Sequence, residues 1–196
     1  MNIIVAATKN MGIGLENKLP WHLKNELKYF KRKTVGNCNN LIVMGKNTWL
    51  SLPTKPLPLR YNCVLSTSLN NIPKDTIVVS NKKEFESFVS KSNFSKIWII
   101  GGESIYKQFI HEPYVKNIYL THIYNDFKCD TFFPEIPENF CLKQKSDMKV
   151  ENNINYKYKL FSRKEAKSNA NYLKMKNKYD IENESWTNND NYVNLF

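Results

Sequence analysis

The chain has 196 residues, 41% apolar and 13% aromatic, enough for one domain with a sizeable core, which excludes disorder along its whole length. Lys and Arg total 29 against 18 Asp and Glu, a net charge of +11. Residues 1–163 hold 24 basic and 13 acidic groups, while 164–196 hold five of each, so the excess belongs entirely to the first part. A basic surface serves solubility or attracts nucleic acid, an anionic membrane or small anionic ligands, and charge alone does not choose among them.

The first apolar run, residues 2–7, is soon followed by Asn10 and Gly12 and is too short for a signal-peptide core. No stretch approaches the ~18 apolar residues of a membrane span. Further short β-branched runs follow at 41–44, 62–65, 76–79, 96–100 and 117–123, and 154–162 alternates more strictly. Continuous apolar runs are expected of strands buried on both faces, and the last, alternating one of an antiparallel edge. Between them lie helical patterns. Residues 22–34 place Leu23, Leu27 and Phe30 at i, i+4 and i+7, and 82–90 and 103–111 are shorter amphipathic segments. This order predicts an α/β fold: a mostly parallel twisted sheet of about eight strands, flanked by about four helices. Residues 52–60, with Pro53, Pro56 and Pro58, read as a stiff loop. The domain is expected to end at 163, and the Asn-rich tail 164–196, with eight Asn and no Gly or Pro, to be partly helical or disordered.

Cys38, Cys63, Cys129 and Cys141 form no C-x-x-C pair, which reads as four reduced thiols in a cytoplasmic protein. His22, His111 and His122 share no metal-ligand spacing, and no Ser-His-Asp or Cys-His set stands out, so neither a metal nor a covalent nucleophile is expected. Gly12-Ile13-Gly14 follows a strand, but Asn17 stands where a dinucleotide fingerprint needs a third Gly or Ala, so that reading fails. In Ile99-Ile100-Gly101-Gly102-Glu103-Ser104-Ile105-Tyr106 a buried strand passes through two glycines into a helix. That is either a tight turn or a phosphate site at the helix N-terminus. Val43-Met44-Gly45-Lys46-Asn47-Thr48-Trp49 repeats the pattern, with Lys46 either solvated or offered to an anion. Glu26 lies beside or within the apolar stripe of its helix. It is either an edge residue leaning to solvent or an acid at the bottom of an aromatic pocket near Trp21 and Phe30, suited to a flat heterocycle with N–H donors.

With these residues in order, the chain resembles the dihydrofolate reductases over about residues 1–162. The resemblance rests on Ile4-Val5-Ala6-Ala7, Gly12-Ile13-Gly14, Leu19-Pro20-Trp21, Glu26 before Leu27 and Phe30, and Gly45-Lys46-Asn47-Thr48-Trp49. It continues through Pro56-Leu57-Pro58-Leu59-Arg60, Leu65-Ser66, Ile100-Gly101-Gly102, Tyr119-Leu120-Thr121-His122 and Asp130-Thr131-Phe132-Phe133-Pro134. It implies NADPH-dependent reduction of 7,8-dihydrofolate, with antifolate-type inhibitors as further ligands. Glu26 then matches the active-site acid, with Trp21 beside it and Thr121 as the hydroxyl that supports it. Val5, Ala6, Leu27, Phe30, Leu52, Leu57, Ile100 and Tyr106 match the substrate wall, and Arg60 the grip on the glutamate carboxylate.

On the cofactor side the resemblance assigns Ala7, Ile13, Gly14, Leu19, Gly45, Lys46, Asn47, Thr48, Leu65, Ser66 and Thr67. It adds Gly101, Gly102 and Tyr106, with the N–H groups of Glu103, Ser104 and Ile105 on the pyrophosphate. Gly101-Gly102 look like the family's cis glycine pair, and residues 14–23 like its mobile loop. Thr67 stands where many relatives have Arg, leaving Lys46 as the clearest 2′-phosphate cation, and Glu103 puts an acid where small residues are common. The resemblance further implies a monomer or, in lineages with a fused thymidylate synthase, a reductase tethered to that enzyme. Two other readings compete: a pyrimidine-type reductase of riboflavin synthesis, against which Glu26 and Arg60 speak, and a basic nucleic-acid-binding protein, which lacks a Lys/Arg-rich aromatic face.

Overall fold

The computed structural model describes residues 1–70 and 72–164, so the expected tail lies, apart from Lys164, outside the described residues. The strands are β1 (Asn2–Thr8), β2 (Gly12–Gly14), β3 (Asn40–Gly45), β4 (Tyr61–Leu65), β5 (Thr76–Val79), β6 (Lys96–Gly101), β7 (Asn117–Ile123), β8 (Thr131–Phe132), β9 (Phe140–Lys145), β10 (Lys149–Glu151) and β11 (Ile154–Arg163). The helices are α1 (Lys24–Val35), α2 (Lys46–Ser51), α3 (Lys82–Ser90) and α4 (Glu103–Phe109). None of these helices is long and apolar enough to cross a membrane.

The main sheet runs β10-β11-β7-β1-β6-β3-β4-β5, with β9 also on β11. From β7 to β5 every pairing is parallel, and β11, β10 and β9 form the antiparallel edge. β9 and β10 lie one after the other along the same side of β11, so nine strands fill eight positions, matching the expected architecture. The runs that form β1 and β3 are continuously apolar because both strands are central: Ile3, Leu41, Ile42, Val43 and Met44 are wholly buried. β9, β10 and the β2–β8 ribbon escape a search for apolar runs, being short, exposed or polar in one register.

Right-handed crossovers place the helices. The connections β1–α1–β3 and β3–α2–β4 step one way across the sheet, and β5–α3–β6 and β6–α4–β7 step back, so α1 and α2 cover one face and α3 and α4 the other. The edge-on contact of Phe85 of α3 with Phe109 of α4, ring centroids 5.4 Å apart, joins the second pair. Neighbouring β1 and β6 therefore send their chains to opposite faces. A crevice opens at their carboxyl ends, where α/β sheets hold ligands.

Loop 52–60 is stiffened by more than its prolines. Asn62, buried on β4, accepts from Leu57 N–H through Oδ1 (2.9 Å) and donates through Nδ2 to the carbonyls of Leu57 (2.9 Å) and Arg60 (2.8 Å). One amide thus spans the loop and leaves Arg60 at its end. Replacing Asn62 with Ala strands three loop groups, and urea denaturation should record a loss of about 2–4 kcal/mol.

Candidate functional site

Helix α1 does not pack the way its apolar stripe suggests. Its buried residues are Glu26, Tyr29 and Thr34, while Leu27 is 45% exposed and Phe30 half-buried. Tyr29 stacks on Tyr158 of β11 with ring centroids 4.0 Å apart, which fixes the inner face. Leu27 and Phe30 are left on an open flank, where they form an apolar wall instead of core.

Glu26 is 5% exposed, so the reading of it as a solvated edge residue falls. The hydroxyl of Thr121, fully buried on β7, donates to Glu26 Oε1 at 3.2 Å. Register brings β1 to the same place, since Ala6 pairs with Thr121 and Ile4 with Tyr119. Burial is the main cause that pushes the Glu26 carboxyl up to about 7; the Thr121 hydrogen bond opposes it and the negative charge of Glu151 adds to it. A carboxyl poised there exchanges its proton near neutrality. Trp21, 7% exposed, packs edge-on against Phe127, and its Nε1–H is buried with no acceptor among the described residues.

Arg60 sits at the other end of α1. Its Nη1 donates to Thr34 Oγ1 (2.6 Å), its Nε to the Pro58 carbonyl (3.0 Å), and its guanidinium lies 5.9 Å from the Phe30 ring centre. Glu26 and Thr34 are two turns apart, so acid and guanidinium mark the ends of a span of about 12 Å along one helix. Leu52 and Leu57 are half-buried in the segment leading to Arg60.

The β3–α2 and β6–α4 turns meet at the crevice. A Cβ on Gly102 would lie 3.2 Å from Thr48 Oγ1, and one on Gly45 would lie 3.0 Å from Ile105 Cγ1, so both glycines make room for the opposite turn. The Gly101–Gly102 peptide is cis, as the resemblance implied, and Gly101 has φ 119° with Tyr106 against its open side. One assignment needs correction: the Ile105 N–H donates to the Gly102 carbonyl (3.0 Å), leaving Glu103 and Ser104 as the α4 residues that can present N–H groups. Lys46 Nζ donates to Ser68 Oγ (2.9 Å), and Ser68 N–H to Ser66 Oγ (3.1 Å), which gathers one cation and two hydroxyls beside the end of β4. Thr67, between the two serines, is exposed and Leu65 is buried.

Val5, Ala7, Ile105 and Tyr106 are buried, which leaves main-chain groups as what most of them offer the crevice, and the Tyr106 hydroxyl donates to the Ile4 carbonyl (2.9 Å). Ala6, Ile13 and Ile100 are half-buried and Leu19 is 52% exposed. Gly14 pairs with Thr131 across β2–β8, and Asp130 carries the next turn by donating from its N–H to the Gly14 carbonyl (3.0 Å) and accepting from Glu16 N–H (2.8 Å). Facing this turn, a cavity of about 320 Å³ is lined by Glu16, Asn17 and Lys18 and, from α2, by Asn47, Leu50 and Ser51. Glu103 is accounted for. One carboxylate oxygen binds Lys107 and the other accepts from Phe132 N–H (3.0 Å), so its charge is spent bracing α4 against β8.

The sequence reading missed Thr34, Ser68, Asp130 and Glu151. Asp130 stood in a quoted motif without a role; for the others no local signal exists, because each acts through a partner distant in the chain. The Glu26 carboxyl makes a separate demand on stability. Its folded value lies above the ordinary 4.5, so between those values the folded form keeps a proton that the unfolded chain has lost, and stability falls as pH rises. The loss approaches about 3 kcal/mol above neutrality. Glu26→Gln should therefore gain stability relative to the parent chain by about that amount between pH 5 and 8 in urea titrations, whereas a constant difference would mean an ordinary titration.

Comparison with known proteins agrees with this geometry. The family model described as dihydrofolate reductase matches residues 1–164. A dihydrofolate reductase of Drosophila melanogaster is 38% identical over 176 residues, covering 83% of this chain and 97% of that protein. One from Gallus gallus is 38% identical over 181 residues, covering 83% and 96% respectively. A viral dihydrofolate reductase of saimiriine herpesvirus 2 is 38% identical over 180 residues, covering 83% and 84%. By descent as well as by the layout of its crevice, the chain belongs to the dihydrofolate reductase family.

Proposed function

We propose that residues 1–163 reduce 7,8-dihydrofolate to tetrahydrofolate in this crevice with NADPH as reductant. The observation that carries the reading is Glu26: a buried carboxyl poised near neutrality, with an apolar wall beside it and an arginine at the far end of the same helix. An extended ligand with N–H donors at one end and a carboxylate at the other suits that span.

The residues present fit NADPH. The Gly45 and Gly102 turns leave a cradle that a Cβ on either would crowd. Glu103 and Ser104 N–H groups and the Thr48 hydroxyl suit a pyrophosphate, and Lys46 with Ser66 and Ser68 suits a 2′-phosphate. NADPH, when bound, supplies the hydride that adds to C6 of the pterin. The protein's part is to hold the rings, exclude water and manage one proton.

Glu26 as carboxylate accepts from the 2-amino group and N3 of the pterin, and its capacity to hold a proton near neutrality favours protonation at N5. Thr121 holds the carboxyl in place, and the nearby Trp21 has an indole N–H with no acceptor among the described residues, a donor left for a ligand or water. Leu27, Phe30, Leu52 and Leu57 face the pterin and aminobenzoyl rings. Arg60, already oriented by Thr34 and Pro58, binds the glutamate carboxylate as a planar fork.

The test is consumption of NADPH with dihydrofolate by the purified chain, repeated with NADH and with a ribosylated pyrimidine. Turnover of the pyrimidine alone would overturn the reading. Glu26→Gln should lose most of its turnover near neutral pH and recover part of it in acid, where the substrate arrives protonated; an unchanged pH–rate profile would remove Glu26 from proton management. Arg60→Leu should raise KM for dihydrofolate at least about tenfold, the loss of a charge-assisted pair, and leave KM for a pterin without the glutamate nearly unchanged.

A further inference from the structure

Helix α1 starts without a cap of its own. Leu23 at the N-cap position has no side-chain acceptor, so the first N–H groups of the helix need a partner from elsewhere. They find it in Glu151 on β10. Its Oε1 accepts from Lys24 N–H (2.6 Å) and Asn25 N–H (3.2 Å), and its Oε2 accepts from Asn25 N–H (3.1 Å). The next residue, Asn152, donates from Nδ2 to the His22 carbonyl (3.1 Å). Asn152 and Asn153 both have left-handed φ, 51° and 59°, the tight two-residue turn that holds β10 and β11 in register. Hairpin and helix start are thus tied by charge-assisted bonds at the positive end of the helix dipole. Glu26 occupies the third helical position, in the turn that Glu151 caps.

We propose that Glu151 is a positioning residue for the reaction: reaching across from β10, it caps the helical turn that carries Glu26 and sets both the place and the electrostatic surroundings of that carboxyl in the crevice. The inference rests on the reading of Glu26 as the proton-managing group. The groups around Glu26 are Thr121 from β7, Tyr106 from α4, Tyr156 and Tyr158 from β11, Tyr29 from its own helix and Glu151 from β10. Burial keeps the four phenols neutral, and the negative charge that acts on Glu26 comes from Glu151. Lys149, on the same face of β10, lies over the Tyr158 ring. Removing the Glu151 charge has one sign. It takes away a repelling anion and leaves the helix N-terminus uncompensated, and both effects favour ionised Glu26.

The test uses Glu151→Gln, which keeps shape and a neutral acceptor, and Glu151→Ala, which keeps neither. Carbon NMR of the Glu26 carboxyl in the ligand-free protein should show its titration midpoint falling by about half a pH unit in both variants. The alkaline limb of the kcat profile should move to lower pH by the same amount. In Glu151→Ala the Lys24 and Asn25 amides should also exchange about tenfold faster, as loss of a helix cap requires. An unchanged midpoint in both variants overturns the proposal, whether or not exchange accelerates, because a merely structural cap would leave Glu26 alone. These ligand-free readouts stand even if Glu26→Gln were to keep full turnover, a result that would remove the functional reading instead.

Discussion

Burying Glu26 against the sheet is the constraint from which the cleft follows. An isolated carboxyl has no place in a core, and here it is tolerated because Thr121 donates to it and because it can stay protonated up to neutrality. Tyr29 one turn later and Thr34 beyond it complete a polar inner face, and the ordinary logic of an amphipathic helix is reversed. The apolar residues of α1 then stand at the crevice, where a flat ring can cover them. A helix built this way gives up core contacts and gains a binding wall.

The crevice itself comes from topology. Because β1 and β6 are neighbours whose chains leave toward opposite faces, their carboxyl ends cannot be closed over by a connecting helix. The β3–α2 turn lies beside them, and Gly45 and Gly102 let the two strand-to-helix turns approach each other. Parallel strands are what align these turns at one edge. An antiparallel sheet would have scattered them to both ends.

Precision at the site is supplied from a distance. Asn62 holds the loop that ends in Arg60, Thr34 aims the guanidinium, Glu103 braces α4 against β8, and Glu151 caps α1. Each is a polar group meeting backbone or side-chain groups that local structure leaves unpaired. The positive charge has a narrower part than its size suggests. Of the 24 basic groups in residues 1–163, Lys46 and Arg60 are the ones for which a contact with an anionic ligand is proposed, and the rest act at most through long-range attraction.

Much of this was legible from residues alone. Continuous apolar runs marked the parallel strands because central strands are buried on both faces, and the glycine pairs marked the turns because only small residues fit there. Leu27, Phe30 and Arg60 could be assigned by resemblance, but the direction in which α1 turns could not. Periodicity presents Leu23, Leu27 and Phe30 as a stripe without saying whether core or ligand covers it. What the chain by itself determined was the α/β order and the crevice glycines, while Glu26 as the acid came from the resemblance. Only tertiary structure decided that Glu26 is buried and that Thr121 and Glu151 flank it. Those depend on groups far apart in sequence meeting at one place, and sequence spacing carries no record of such meetings.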